Sequence, residues 1–535
     1  MPSKNKEQDK ELLNESDEGN IEYKLKLIDP TATRFEHLVT QMKFRLQEGQ
    51  GEAIYELGIE DNGYPRGVTE EELEMTIKTI EKMAHTLNAD ITVLRKRDGE
   101  SGKVAEVLVR KLAEENFLEI RIAVAGNVDS GKSTLIGVLT QGNLDDGRGL
   151  ARVNVFRHKH ELETGRTSSI SQQIIGLDSK GNFINRDKLD RHSWAKVIEA
   201  SSKILTFIDL GGHEKYLKTT LFGLTGHIPD YVLLIIGSNM GVVGMTKEHL
   251  GIALALRVPI IVIITKIDIC PEHVLKQTLD DITKFLKIPG SNKIPIIIRN
   301  IDDVIVSAKN LTSRRIAPIF LISNVTGENL DLLGKFLNLL PANRNWEDQI
   351  ENPAEFHIDE TFSVTGVGTV VAGTLISGSV SIDDTLQLGP DELGQFKKVK
   401  IISIHNKRVP VRRIVAGQTA TFAIRRIQRS SIRKGMVLLD DHLEPKVSHL
   451  FEAEILVLYH STTIQKNYQA VVHCGTIRQT AKIIDMDREI IRTGDKAIVK
   501  FQFLYSPEFL KEGRQIIFRE GRTKGIGKIT KIFYD

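Results

Sequence analysis

The sequence predicts an α/β protein: a mostly parallel-sheet domain built on a phosphate-binding loop, then two β-barrels, with a small α/β or α+β domain in front. Residues 126–133 read Gly-Asn-Val-Asp-Ser-Gly-Lys-Ser, matching G-x-x-x-x-G-K-[ST]. The apolar run Leu118 to Ala125 precedes this loop and helix-forming sequence from Thr134 follows it. From 117 to 345 apolar strands alternate with helical segments, the pattern of a parallel sheet covered on both faces. After Pro353 short strands are punctuated by Gly366, Gly368, Gly373, Gly378 and Gly389, which reads as barrels.

The chain has 535 residues, too many for one core, so several domains are expected. A formal net charge of +2 restricts any RNA contact to local patches. Cys270 and Cys474 stand far apart without metal-ligand spacing, pointing to a reducing, cytoplasmic setting and no structural zinc. His158 and His160 flank Lys159 and read as solvated or RNA-facing. Tyr231 to Ile236 and Val258 to Ile264 are too short to span a bilayer and read as buried parallel strands, so no membrane partner is expected.

Residues 1–20 are charged and polar, without an apolar stretch for a signal peptide, and are expected to be a disordered tail. Residues 21–115 form the first domain. Strands are expected at Ile21 to Ile28 and Ala53 to Ile59, and a helix at Ala32 to Leu46. A second helix runs from Thr69, its N-cap, to Leu87, and a hairpin joins Ala89 to Lys96 with Val104 to Lys111. No catalytic constellation occurs there. The phosphate-loop domain occupies 117–345, interrupted by polar sequence at 179–202 that reads as a surface insertion. The barrels are expected at 351–442 and 446–535.

In the loop, Gly126, Asn127, Val128, Asp129, Ser130 and Gly131 would turn backbone N–H groups toward a polyphosphate at a helix N-terminus. Lys132 would reach the β- and γ-phosphates, and the Ser133 hydroxyl, followed by Thr134, would bind Mg²⁺. Asp209, in Asp-Leu-Gly-Gly-His, would hold Mg²⁺ through water, and the Gly212 amide would sense the γ-phosphate. Thr265-Lys266-Ile267-Asp268 ends another strand, where a base should sit. A carboxylate there accepts from the ring N–H and exocyclic amine of guanine, a donor pair adenine lacks, so Asp268 argues for GTP and GDP. Ser323 and Asn324 end a third strand and could back the base with a backbone amide. Four such motifs in order indicate a P-loop GTPase domain.

With these motifs the chain resembles the translational GTPases of the elongation factor Tu and elongation factor 1-alpha class. More narrowly, it is similar to the eukaryotic GTP-binding protein 1 and 2 family. The narrow likeness rests on 126–134, 147–149 with 156–161, 165–169, 207–218, 237–239, 244–251, 265–268 and 322–330. The resemblance implies that His213 aligns the attacking water and that Asp129 helps bind a monovalent cation near the phosphates. It implies that Ser169 closes on Mg²⁺, with Thr167 and Ser168 as neighbouring hydroxyls. Thr265 departs from the asparagine of the wider class. Ser168 stands at a site that is apolar in elongation factor Tu and helps screen the histidine, leaving Val128 as the apolar side of that gate. The barrels resemble domains II and III of that class, which imply binding of aminoacyl-tRNA and the ribosome. Arg519, Arg522 and Lys524 would lie near a tRNA arm. Lys407-Arg408, Arg412-Arg413, Arg425-Arg426, Arg429 and Arg433-Lys434 would give domain II a basic surface, many of them pointing outward.

Three functions fit: a monomeric GTPase delivering aminoacyl-tRNA or rescuing stalled ribosomes; a GTP-switched adaptor recruiting an RNA-decay nuclease complex; and a selenocysteine-type factor. The third ranks last because no C-terminal RNA-hairpin domain is seen.

Overall fold

The computed structural model describes residues 16, 18–112, 117–153, 155, 169–184, 193–288, 291–425, 427–521 and 523–535. The tail to residue 15, His158, His160, Thr167, Ser168, Arg426 and Arg522 lie outside the described residues.

The N-terminal unit is a four-stranded sheet in the order Ile21–Lys24, Glu52–Leu57, Lys103–Lys111, Ala89–Asp98, parallel only between the first two. Strand alternation explains its two faces. Ala53, Tyr55 and Leu57, with Ala105, Val107 and Val109, pack under the helices Ala32–Glu48 and Glu70–Thr86 through Leu38, Met42, Leu73 and Ile80. Thr69 caps the second helix in a reciprocal box with Glu72. The intervening positions Glu52, Glu56, Glu106 and Arg110 are all buried despite their charge. They meet the next domain. Arg110 donates to Glu52 at 2.6 Å and to Asn338 Oδ1 at 2.7 Å. Lys203 reaches Glu52 at 3.0 Å, and Lys309 bridges Glu56 and Glu106.

The second domain is an eight-stranded sheet. Its order is Ile294–Ile297, Ile316–Leu321, Ile260–Thr265, Tyr231–Gly237, Leu118–Gly126, Lys203–Asp209, Ser171–Leu177, Phe183–Ile184. Six strands run parallel; Ser171–Leu177 and Phe183–Ile184 form an antiparallel edge. Two apolar clusters cover its faces. The expected surface insertion at 179–202 is corrected in part. It supplies the strand Phe183–Ile184 and the helix Ser193–Ala200, whose Trp194 and Val197 pack on Ile174 and Ile204. Two apolar residues three apart hold that helix down, and the polar flanks hide them in the sequence.

Two barrels follow. In the first, Thr385–Gly389, Val437–Asp440, Glu355–Val364, Gly368–Ser377, Thr419–Ile424 and Lys397–Asn406 pair in turn. The last pairs back on the first, closing six strands. The second closes through Leu450–Tyr459, Lys496–Phe503, Ile477–Met486, Gln469–Cys474, Gln515–Glu520 and Thr523–Phe533. Among the described residues no helix is long and apolar enough to cross a membrane.

Candidate nucleotide site and its links to the barrels

The phosphate loop joins the strand Leu118–Gly126 to the helix Lys132–Gln141. The turn needs unusual backbone. A side chain on Gly126 would strike the Ile235 carbonyl, and Asp129 (φ 57°) and Gly131 (φ 87°) are left-handed. The helix N-terminus therefore opens onto the loop, a favourable place for an anion. Lys132 is almost fully buried and its Nζ donates to Asn127 O at 2.6 Å. Burial draws its pKa down to about 8, against the pull of Asp209 and Asp129. A Cβ at Gly212 would lie 2.7 Å from the Asn127 carbonyl carbon and the Gly126 carbonyl oxygen, backbone atoms that cannot give way, so the loop requires glycine there. Ser133 Oγ donates to Asp209 Oδ2 at 2.7 Å, a hydroxyl and a carboxylate of the kind Mg²⁺ takes. Ser171 registers with Asp209, and half-buried Ser169 lies two residues before it, just outside the strand.

On the base side, buried Thr265 donates from Oγ1 to Ser130 O at 2.7 Å, bracing the phosphate loop. Lys266 is left-handed (φ 61°), its carbonyl accepting from Ser238 Oγ at 2.9 Å, and Asp268 on the same loop is exposed. Ser323 Oγ accepts from the Val325 and Thr326 amides at 3.2 and 3.1 Å, and Asn324 packs beside Gly131. The structure thus joins 126–133, Asp209, Gly212, Thr265 and Asn324 at the C-terminal ends of neighbouring strands. Val128 is half-buried, as is His213 on the turn after Gly212. His213 Nδ1 accepts from Lys215 N at 3.1 Å, which leaves the ring hydrogen on Nε2.

Sequence reasoning missed His249. It lies fully buried on the helix Gly244–Ala255, and its Nδ1 accepts from Gly126 N at 3.1 Å. Burial, with Lys132 nearby, lowers its pKa to about 3, so it holds the loop as a neutral acceptor. In sequence, 244–251 supported only the resemblance; no spacing marked this histidine.

Four basic residues expected to face RNA have partners within the protein; of these Lys407 is buried, Arg519 and Lys524 are half-buried and Arg408 is exposed. Lys407 is buried and pairs with Glu119 at 2.8 Å; Arg408 lies over Trp194 at 4.4 Å. Both residues are left-handed (φ 48° and 69°), the two-residue hairpin turn in which glycine and asparagine are usual. Arg519 and Lys524 pair with Glu248 of the helix Gly244–Ala255, the first at 3.3 Å. Arg412, Arg413 and Arg425 are exposed, as the basic-surface reading expects. Arg433 instead ties the barrels together through Glu508 at 2.7 Å.

Family models match in the same order as the domains. The elongation factor Tu GTP-binding domain matches 119–343, elongation factor Tu domain 2 matches 368–439, and the elongation factor Tu C-terminal domain matches 444–533. GTP-binding protein 1 of Xenopus laevis is 53% identical over 97% of this chain and 80% of that protein. GTP-binding protein 2 of Homo sapiens is 48% identical over 97% of this chain and 88% of that protein. Among solved structures, translation elongation factor SelB from Methanococcus maripaludis with a GTP analogue shares the fold. Its TM-score is 0.55 at 20% identity, covering 78% of this chain and 80% of that one. On this identity across nearly the full chain, joined to a phosphate loop and guanine-type loop at the strand ends, the chain belongs to the GTP-binding protein 1/2 family of translational GTPases, enzymes that bind GTP and hydrolyse it.

Proposed function

We propose that this GTPase binds aminoacyl-tRNA in its GTP state and acts on the ribosome in the cytoplasm, as a monomer, delivering that tRNA or rescuing stalled ribosomes. The observation that supports this best is the helix Gly244–Ala255. It holds the phosphate loop through His249 and the second barrel through Glu248, so a change at the phosphates has a short path to the barrels. A cavity of about 270 Å³ between the GTPase domain and the first barrel would take the acceptor end. Trp194 and His227 line it on one side, Asp359, His405 and Lys407 on the other.

In this reading Gly126 to Gly131 and Lys132 hold the phosphates, Asp268 reads guanine, and Lys266, Ser323 and Asn324 complete the base site. Ser133, Ser169 and Asp209 fit a magnesium ion, and Asp129 a monovalent cation. Mg²⁺ when bound neutralises charge on the phosphate oxygens. Water attacks the γ-phosphorus, the bond to the bridging oxygen breaks, and GDP and phosphate leave. His213, with hydrogen on Nε2, orients that water, while Lys132 and the Gly212 amide hold the departing charge in place.

Filter binding of aminoacylated and deacylated tRNA to the protein loaded with GDP or a non-hydrolysable GTP analogue tests this. Aminoacylated tRNA should bind the GTP form at least about tenfold more tightly. Equal binding in both states would end the delivery reading and leave the adaptor for RNA-decay machinery, to be scored by GTP-dependent capture of nuclease subunits.

A further inference from the structure

Resting on the guanine-nucleotide reading above, we propose that the Asn324 side chain itself reads the base, donating a hydrogen bond to guanine N7. Guanine presents two chemically opposite edges. N1–H and the exocyclic amine are donors, and the exposed carboxylate of Asp268 suits them. N7 and O6 are acceptors and need a donor from the protein.

Thr265 begins the base loop, yet its hydroxyl is already committed. It lies fully buried and donates to Ser130 O at 2.7 Å, with Ile236 O next at 3.4 Å. Turning that proton to a base would release the phosphate loop. Asn324 stands beside it. A Cβ on Gly131 would lie 3.4 Å from Thr265 Oγ1 and 3.6 Å from Asn324 Nδ2, so the carboxamide sits over the start of the phosphate-binding helix. The Asn324 backbone is pinned, its carbonyl accepting from Asp145 N at 2.9 Å and the Ser323 turn holding the next residues.

Asn324 is 7% exposed, and its Oδ1 is buried with no partner in the protein. As placed, this oxygen is an acceptor that guanine N7 cannot partner; with the carboxamide turned, the same buried position holds N–H donors, which N7 would satisfy. The two ends of a carboxamide have the same shape. A half-turn about its terminal bond keeps the packing and brings N–H donors to either side. The acceptor edge of guanine is the complementary surface.

The probe is 7-deazaguanosine diphosphate, in which C–H replaces N7, compared with GDP by competition against a fluorescent nucleotide on the full chain. The unmutated protein should prefer GDP by about tenfold, the scale of one hydrogen bond to a buried group. Asn324→Ala should bind both alike, at the level of the deaza compound. Thr265→Ala should weaken both equally and keep the preference, because it loosens the loop without touching the base. Melting curves and Asn324→Ser, which keeps a small polar side chain, guard against a folding defect. No preference in the unmutated protein, or a full preference surviving in Asn324→Ala, overturns the proposal; in the second case the donor is Lys266 or backbone. Equal affinity for ATP and GTP would instead remove the guanine reading on which it stands.

Discussion

Lys203→Met should release the N-terminal domain without disturbing nucleotide binding. Lys203 side-chain exposure is 0%, and Glu52 beneath it is 7% exposed. Its Nζ donates to Glu52 Oε2 at 3.0 Å, Asn338 O at 2.9 Å and Leu340 O at 2.6 Å. Burial pushes the Glu52 carboxyl up, but Lys203 and Arg110 outweigh it and hold it below the ordinary range. Burial draws Lys203 down to about 8, so both partners are charged at pH 7. The two shifts differ in sense, the first favouring the ion pair and the second opposing it. Glu52 faces two cations, whereas Lys203 faces one carboxylate and the like charge of Arg110. The Glu52 direction decides the sign. A depressed carboxylate stabilises docking above its unfolded value and loses that contribution as pH falls through its folded one, so the joint weakens only in acid. Removing one partner of a buried pair costs about 3–5 kcal/mol. Arg110 remains on Glu52 at 2.6 Å, which favours the lower end, about 3 kcal/mol. That raises opening on the order of a hundredfold. Solvent labelling of the docking-face side chains Glu52, Glu56 and Glu106 should rise accordingly, with GDP affinity unchanged. Unaltered labelling of all three would refute the view that this buried charge cluster holds the domain.

Three further outcomes are expected. Asp268→Asn should weaken GTP by about 1.5–3 kcal/mol and improve xanthosine triphosphate binding, measured by competition, because the hydrogen-bond pattern wanted on the base inverts. His213→Ala should keep GTP affinity within about threefold yet cut ribosome-stimulated hydrolysis about a hundredfold, since it sits on the turn after Gly212 and outside the phosphate cradle; unchanged stimulated turnover would remove it from the mechanism. GDP affinity should fall about fourfold between pH 7 and 8.5, as Lys132, drawn down to about 8, loses the proton that attracts phosphate, while Lys132→Arg should show a flat profile.

The parts of the site that were legible in the sequence are those fixed by local backbone chemistry. Gly126, Gly131 and Gly212 stand where a side chain would collide or the backbone is left-handed, and Lys132, Ser133 and Asp209 follow at fixed offsets. The strand ends that carry Thr265 and Ser323 were legible because buried parallel strands are continuous apolar runs. The illegible parts share another cause. Lys407, Arg519 and Lys524 read as surface charge because their partners Glu119 and Glu248 lie in another domain. Nothing near a lysine in sequence announces a carboxylate that only folding brings to it. His249 was hidden similarly: an imidazole on an apolar helix gives no local sign that it faces the Gly126 amide.

Those long-range pairs have a common placement. Glu119 lies near the start of the strand Leu118–Gly126, which ends at the phosphate loop. Lys203 opens the strand that ends at Asp209. Glu248 and His249 are consecutive on one helix, about 100° apart around its axis, so they must face different neighbours. One meets the second barrel and the other the Gly126 amide. Each of these three contacts is therefore set on a rigid element whose far end, or next residue, belongs to the nucleotide cradle. Strands in the middle of a sheet and a packed helix move as units rather than bending residue by residue. A displacement at the phosphates large enough to shift Gly126 must act on Glu119 through its own strand and on Glu248 through His249. The first barrel would then respond through Lys407 and the second through Arg519 and Lys524, while the N-terminal domain, tied to the strand of Asp209, would move with the GTPase sheet.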